Sequence, residues 1–341
     1  MAHNIQLLVI DPQNDFCDLP MAWQPTDVLT GQRTAPALPV PGAHADMQRL
    51  AQFIRNQGDQ LDGITVTLDS HQRFDIAHPG FWQTGAGADV APFTPITATQ
   101  VRAGDYTPRD TTALPRTLRY LDALEARGRY TLMVWPVHCE VGSWGHGVHA
   151  DVLAACGAWQ LQRQRAVRNV FKGTNPWTEH YSAIEAEVPD ADDEGTALNT
   201  ALLQSLGQAD VLLIAGEASS HCVRSTTEHI VQHLPRLVPG WQASRIVLLT
   251  DGMSPVGGFE AQHQAFLQVM RAAGAHPWYL FVLVQLEVLL VTVVSMLSAA
   301  ALLFVCLVLL QDKLAADFGL FVGGFPSTAA TGATIVSSAG A

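Results

Sequence analysis

The chain has 341 residues, enough for about two domains and a large core, and a formal net charge of −12 with a pI near 5.4. That acidic balance excludes nucleic acid as a partner, because such proteins present a basic face. Five scattered cysteines with no CxxC pair exclude a disulfide framework or zinc ribbon and favour a reducing, cytoplasmic setting.

Read in chain order, apolar strand-like runs alternate with amphipathic helical ones. The N-terminus has no basic region before its short apolar run, so residues 5–10 read as a first strand rather than a signal peptide. "HADMQRLAQFIRNQ" follows as a helix, then "GITVTL" (63–68), "YTLMVW" (130–135) and "RAVRNVF" (165–171) as strands. "TEHYSAIEAEV" and "TALNTALLQSLG" read as helices, "VLLI" (211–214) and "SRIVLLTD" (244–251) as strands, and residues 258–275 as a closing amphipathic helix. This alternation predicts an α/β fold, a three-layer α/β/α sandwich on a mostly parallel six-stranded sheet. Two stretches rich in Pro, Gly and Thr, 18–43 and 83–110, read as irregular surface insertions, lids or oligomer contacts.

The character changes after residue 275. Residues 288–310 carry no charge over 23 positions, long enough for a transmembrane helix. The expected organisation is a catalytic domain over 1–275, an apolar helical segment over 276–322 and a flexible low-complexity tail over 323–341. The apolar segment is open to three readings: a membrane anchor contacting a bilayer through 280–310, a buried or homo-oligomer-forming helix, or a tail that is not native coding sequence.

In open parallel sheets, ligands bind beyond the carboxyl ends of the strands. There the expected strands end, in turn, in Asp11, in Asp69 with His71, in His138, in Lys172 and in the segment leading to Cys222. Any one of these has a bland explanation: a helix cap, a satisfied core histidine, a solvated lysine, a small buried cysteine. Five at equivalent places are harder to assign to structure. Asp69 and His71 are two apart, so an extended segment puts both on one face. With His138 they form a two-histidine, one-carboxylate set suited to Zn²⁺, Fe²⁺ or Mn²⁺, with His78 either a fourth ligand or a substrate-lining residue.

Asp11, Lys172 and Cys222 form a second set. A free thiol, with a reference pKa near ~8.5, is a modest nucleophile. An adjacent ammonium and a helix start both favour the thiolate, and a carboxylate can move its proton. The chain has 17 arginines but only two lysines, Lys172 and Lys313, which suits a lysine kept for chemistry.

On "DPQNDF", "VPGA", "DSH…HPGFW", "WPVHC", "KGTNP…YSA" and "GEASSHCV", the span 5–275 resembles the nicotinamidase/pyrazinamidase branch of the isochorismatase-like cysteine hydrolases. The resemblance implies a catalytic triad of Asp11, Lys172 and Cys222 and a divalent metal on Asp69, His71, His138 and, in some members, His78. It also implies an oxyanion hole from the backbone N–H groups of Ala218 and Cys222 and a cis peptide before Ala218. Phe16, Trp135, Tyr181 and His221 would line the pocket for the ring of nicotinamide. Ser219-Ser220 stand where many relatives carry Thr-Asp, and "DLPMAW" departs from the usual Gly-Gly. Another small amide or carbamoyl substrate, a metal-hydroxide mechanism and a non-catalytic membrane-tethered binding protein are the competing expectations.

Overall fold

The computed structural model describes residues 4–278, 289, 292–306, 309 and 310. Its strands are β1 (Ile5–Ile10), β2 (Gly63–Asp69), β3 (Trp82–Thr84), β4 (Thr94–Ile96), β5 (Tyr106–Pro108), β6 (Leu132–Val134), β7 (Arg168–Lys172), β8 (Val211–Gly216), β9 (Ile246–Leu249) and β10 (His276–Trp278). Its helices of a turn or more are α1 (Ala43–Gln57), α2 (Ala98–Ala103), α3 (Leu114–Arg127), α4 (Ala150–Arg163), α5 (Thr200–Leu206), α6 (Cys222–Leu237) and α7 (Glu260–Ala272).

The central sheet runs β10-β9-β8-β1-β2-β7, with every adjacent pair parallel. Leu7, Leu8, Val9 and Ile10 are all fully buried, so both faces of β1 are covered, as continuous apolar strands in parallel sheets require. Helix α1 packs on α4, while α6 packs on α5 and α7. The chain moves from β1 out to β2 and β7, then returns to the other side of β1 as β8. The direction therefore reverses between β1 and β8, which opens a crevice at their carboxyl ends. Gly216 closes β8 there at φ 121°, and a Cβ on it would stand 1.9 Å from the Ile10 carbonyl oxygen. Only glycine fits that approach.

Three expectations need correction. Five of the six expected strand runs enter the central sheet, and 130–135 does not: β6 pairs antiparallel with β4 in a separate two-stranded ladder. The sixth place is taken by β10, which no apolar run announced. The 83–110 stretch is no irregular insertion. It supplies β3, β4, α2 and β5, and its Val90, Ile96, Ala98 and Val101 bury against Phe81, Trp82, Tyr120, Leu121 and Val134 in a core of their own. Residues 178–188 are not helical. There Ser182 Oγ accepts from Ile184 N at 3.0 Å, Thr178 Oγ1 donates to the Val188 carbonyl at 2.7 Å and Glu187 N donates to the Glu179 carbonyl at 2.9 Å. Side-chain hydroxyls competing for backbone partners favour such turns over helix.

The chain divides into two compact units, Met1–Phe281 and Val282–Ala341. Residues 292–306 are helical, but no helix among the described residues is long and apolar enough to cross a membrane. Of the apolar segment and anchor expected within 276–322, residues 279–288, 290–291, 307–308 and 311–322 lie outside the described residues, as does the tail over 323–341. The five cysteines are free, with Cys17, Cys139, Cys156 and Cys222 buried.

Candidate active site

The parallel register brings the first cluster together. Asp69 is the last residue of β2 and lies beside Lys172, the last of β7; Asp11 follows β1, and Cys222 opens α6 after β8. Lys172 Nζ stands 2.9 Å from Asp11 Oδ2, 2.9 Å from Asp69 Oδ1, 3.0 Å from the His180 carbonyl oxygen and 3.6 Å from Cys222 Sγ. All of these side chains are buried. Asp11 sits at φ 45°, and its Oδ1 accepts from Thr67 Oγ1 at 2.5 Å. Its Oδ2 carries no well-aligned hydrogen bond, which leaves a lone pair for a proton. Gly173 follows Lys172 at φ 80°, and a Cβ there would press within 2.9 Å of Asp69 Oδ1.

Electrostatics correct one expectation. Burial lowers the Lys172 pKa, yet the Asp11 and Asp69 carboxylates overcome it and hold the amine well above its ordinary value. The ammonium is therefore secure. Burial raises the Cys222 thiol, and the same two carboxylates add to that rise. Lys172 opposes them without prevailing, so the thiol sits well above its ordinary pKa. The resting group is a thiol, not the thiolate expected from the ammonium and helix start. Burial also raises the Asp11 carboxyl, against the pull of Lys172, which makes Asp11 a more willing proton acceptor.

The second cluster shares Asp69. Its Oδ2 is 3.1 Å from His71 Nε2 and 3.4 Å from His138 Nε2. Burial would raise this carboxyl, but the His71 ring and the Lys172 ammonium outweigh it and keep the group well below its usual range. The nitrogens of His71, His78 and His138 lie within 4.8 Å of one another. Each Nδ1 faces an oxygen: His71 the Asp75 carboxylate at 2.9 Å, His78 the Gln72 carbonyl at 3.2 Å, His138 the Pro136 carbonyl at 2.8 Å. Those acceptors favour a proton on each Nδ1 and turn the Nε2 atoms toward Asp69 and one another, the orientation that metal-ligating histidines adopt. Three imidazoles and one ionised carboxylate suit a divalent cation, whose binding would displace the proton that the Asp69 and Asp75 carboxylates, outweighing burial, hold on His71. His138 reaches this point by an isolated bridge rather than from a neighbouring strand, with His71 N donating to the Cys139 carbonyl at 3.0 Å.

The four expected ring-pocket residues line one cavity with Cys222, Asp69, His138 and Ala218. Phe16 meets His138 edge-on at 5.4 Å, Trp135 Nε1 donates to Tyr181 Oη at 3.0 Å, and His221 stands T-shaped to Trp135 at 5.1 Å. The Glu217–Ala218 peptide is cis. Among the described residues, the N–H groups of Ala218 and Cys222 have no hydrogen-bond acceptor, and the latter is a first-turn helix donor that has none within the helix. The cavity is closed down to about 20 Å³, about the space of one water. A roomier cavity of about 370 Å³, lined by Arg116, Arg119 and Trp177, holds none of these residues.

Glu179 was not anticipated. It lines the cleft, its Oε1 accepts from His180 N at 2.9 Å, its Oε2 has no partner, and burial pushes its carboxyl up to about 7. Asp75 and Thr67, which hold His71 and Asp11, were missed as well. Reading 178–188 as helix hid Glu179, since a loop crossing a sheet's carboxyl edge would have drawn attention to its acid.

No family model and no curated protein matches the chain. Solved structures do. A nicotinamidase/pyrazinamidase from Acinetobacter baumanii superposes with a TM-score of 0.52 at 18% identity, over 82% of this chain and 98% of that one. The yeast nicotinamidase gives 0.52 at 18% identity, over 80% and 98%. The same yeast enzyme bound to the inhibitor nicotinaldehyde gives 0.51 at 17% identity, over 81% and 99%. The chain shares the fold of these nicotinamidases. At such identity the likeness concerns the backbone arrangement, and the chemistry rests on the side chains described above.

Proposed function

We propose that the chain is an amide hydrolase that converts nicotinamide to nicotinate and ammonia through a thioester on Cys222. The observation that carries this reading is Lys172 Nζ held between two carboxylates 2.9 Å away and a sulfur 3.6 Å away. An ammonium so placed stabilises a sulfur anion at the moment it forms. Asp11 takes the thiol proton as sulfur attacks the amide carbon. The N–H groups of Ala218 and Cys222 receive the oxygen that becomes negative. Asp11 returns its proton to the amide nitrogen, the C–N bond breaks and ammonia leaves. Asp11 then accepts a proton from water as that water attacks the thioester, and the acid and the free thiol are restored.

Asp69, His71, His78 and His138 would hold one divalent ion, zinc, iron or manganese, whose Lewis acidity supplies an acceptor for a ring nitrogen of the substrate. Phe16, Trp135, Tyr181 and His221 supply flat apolar walls for a heteroaromatic ring. Pyrazinamide, with the same ring shape and amide, is the expected surrogate. The test is ammonia release from nicotinamide by the purified protein, with and without a chelator, beside Cys222→Ala. Turnover retained in that variant would transfer the chemistry from sulfur to a metal-bound hydroxide. No turnover on either amide by protein that binds metal would leave a binding protein.

A further inference from the structure

Glu217 and Asp46 are 0% and 2% exposed, and neither takes part in the chemistry above. Glu217 follows β8, and its peptide leads into Ala218, one of the two unengaged donors beside Cys222. Its own N–H donates to the Ile10 carbonyl at 2.8 Å, and its Oε2 accepts from Ser254 N at 3.0 Å. Ser254 completes a bracket: its Oγ donates to Asp46 Oδ2 at 2.5 Å, and its carbonyl accepts from Ser219 N at 2.9 Å. Arg49 fixes Asp46 from α1 by pairing with Oδ1, and its Nε donates to the Asp251 carbonyl at 2.6 Å. Helix α1, the loop through Ser254 and the segment 217–219 are thus tied together by buried acids.

The charges do not balance unless a proton is present. The groups facing Glu217 are Asp46 and Ser254, with Asp18 and Cys17 from the segment after β1. Asp18 is committed to α1, accepting from Gly42 N and His44 N at 2.8 Å each. Arg49 serves Asp46, and no donor meets Glu217 Oε1. Of two neighbouring buried carboxylates whose single cation reaches only one, the other is held toward its protonated form. Burial, reinforced by Asp46, accordingly holds the Glu217 carboxyl well above its ordinary value.

We propose that Glu217 is a positioning residue acting in its protonated form: its acid proton, shared with Asp46, holds segment 217–219 against Ser254 and thereby aims the Ala218 N–H at the developing oxyanion. This rests on the amide-hydrolase reading. Loss of that proton leaves two anions in one dry pocket, and their repulsion opens the bracket. A carboxyl whose folded pKa is raised lends stability below its unfolded pKa and withdraws it as pH rises through the folded value. Activity and stability should therefore both fall on the alkaline side.

The experiment compares wild type, Glu217→Gln and Glu217→Ala in the full chain, measuring kcat and KM on nicotinamide and Tm from neutral to alkaline pH. Glutamine keeps an acceptor for Ser254 N and offers N–H to Asp46, so it mimics the protonated acid at every pH. Its kcat is expected within about two-fold of wild type at neutral pH, and to persist where wild type has fallen about five-fold or more. The alanine variant is expected to lose about ten-fold or more in kcat with KM little changed, the signature of a lost transition-state contact. Superimposable alkaline profiles of wild type and Glu217→Gln, in both kcat and Tm, would overturn the proposal. Should wild type turn over no amide, the hydrolase reading fails first and Tm decides alone. An alkaline loss of Tm that Glu217→Gln abolishes supports the shared proton, and parallel Tm profiles refute it.

Discussion

Two buried pairs of acids flank the turn after β8, and they are neutralised differently. Asp11 and Asp69 share a lysine, which stands 2.9 Å from each. Asp46 and Glu217 have one arginine, which reaches only Asp46, and a serine that reaches both. The first pair stays ready for chemistry because a fixed cation leaves Asp11 Oδ2 free to gain and lose a proton. The second holds its proton in place and so behaves as structure. Burial alone does not distinguish a catalytic carboxyl from a bracing one; the neighbouring counter-charge does.

The largest effects should come from the lysine-held pair. Cys222→Ala is expected to lower kcat on nicotinamide by about 10³-fold or more, as removal of a covalent nucleophile does, with an unchanged circular dichroism spectrum. Lys172→Met should cost about 3–5 kcal/mol in a denaturant melt, because it strands two buried carboxylates without their cation. A Met variant as stable as wild type would break the contrast, since the lysine would then not be what permits two acids there. Next in size, Asp75→Asn frees the His71 Nδ1 proton from its carboxylate and should weaken metal binding about 10–100-fold. Titration of the metal-stripped protein with zinc reads this directly, and unchanged affinity would remove Asp75 from the site.

Much of this was legible in the sequence, for a physical reason. Residues at the ends of buried parallel strands converge by register, so apolar runs ending in Asp11, Asp69, Lys172 and the segment before Cys222 sufficed to assemble a cluster. His138 was found through the wrong premise, because 130–135 is as apolar as a central strand yet pairs outside the sheet. The Nδ1 partners of His71, His78 and His138, by contrast, are Asp75, Gln72 and Pro136 oxygens, which no spacing rule supplies. The resting thiol was misjudged because sequence shows the neighbouring lysine but not the degree of burial, and burial is the larger influence. Glu217 was noted only for its peptide bond to Ala218; its carboxyl drew no notice because its partner Asp46 is more than 150 positions away on α1.

A third buried acid supplies the mildest test of the same contrast. Glu187 is 1% exposed and has no cation bonded to it; its Oε1 accepts from Ser225 Oγ at 3.2 Å. Arg129 stands nearby but spends its hydrogen bonds on Ser225, Glu228 and His229. Burial therefore dominates and pushes the Glu187 carboxyl up to about 7, with Arg129 only moderating it. With the folded value above the unfolded one, Glu187 lends its stability at acid pH. It withdraws that contribution between the ordinary glutamate range, about 4.3, and neutrality. Glu187→Gln should flatten the decline of Tm across that window by a few degrees, on the order of 1 kcal/mol in a domain of this size. It should leave the kcat profile on nicotinamide in place, because Glu187 touches neither the sulfur nor the oxyanion donors. If the variant instead shifted the acid limb of kcat, the chain from Glu187 through Ser225 to Tyr130 Oη, 2.9 Å from that hydroxyl, would be transmitting charge to the cleft. A hydroxyl-satisfied acid would then do what this structure reserves for the lysine-held pair.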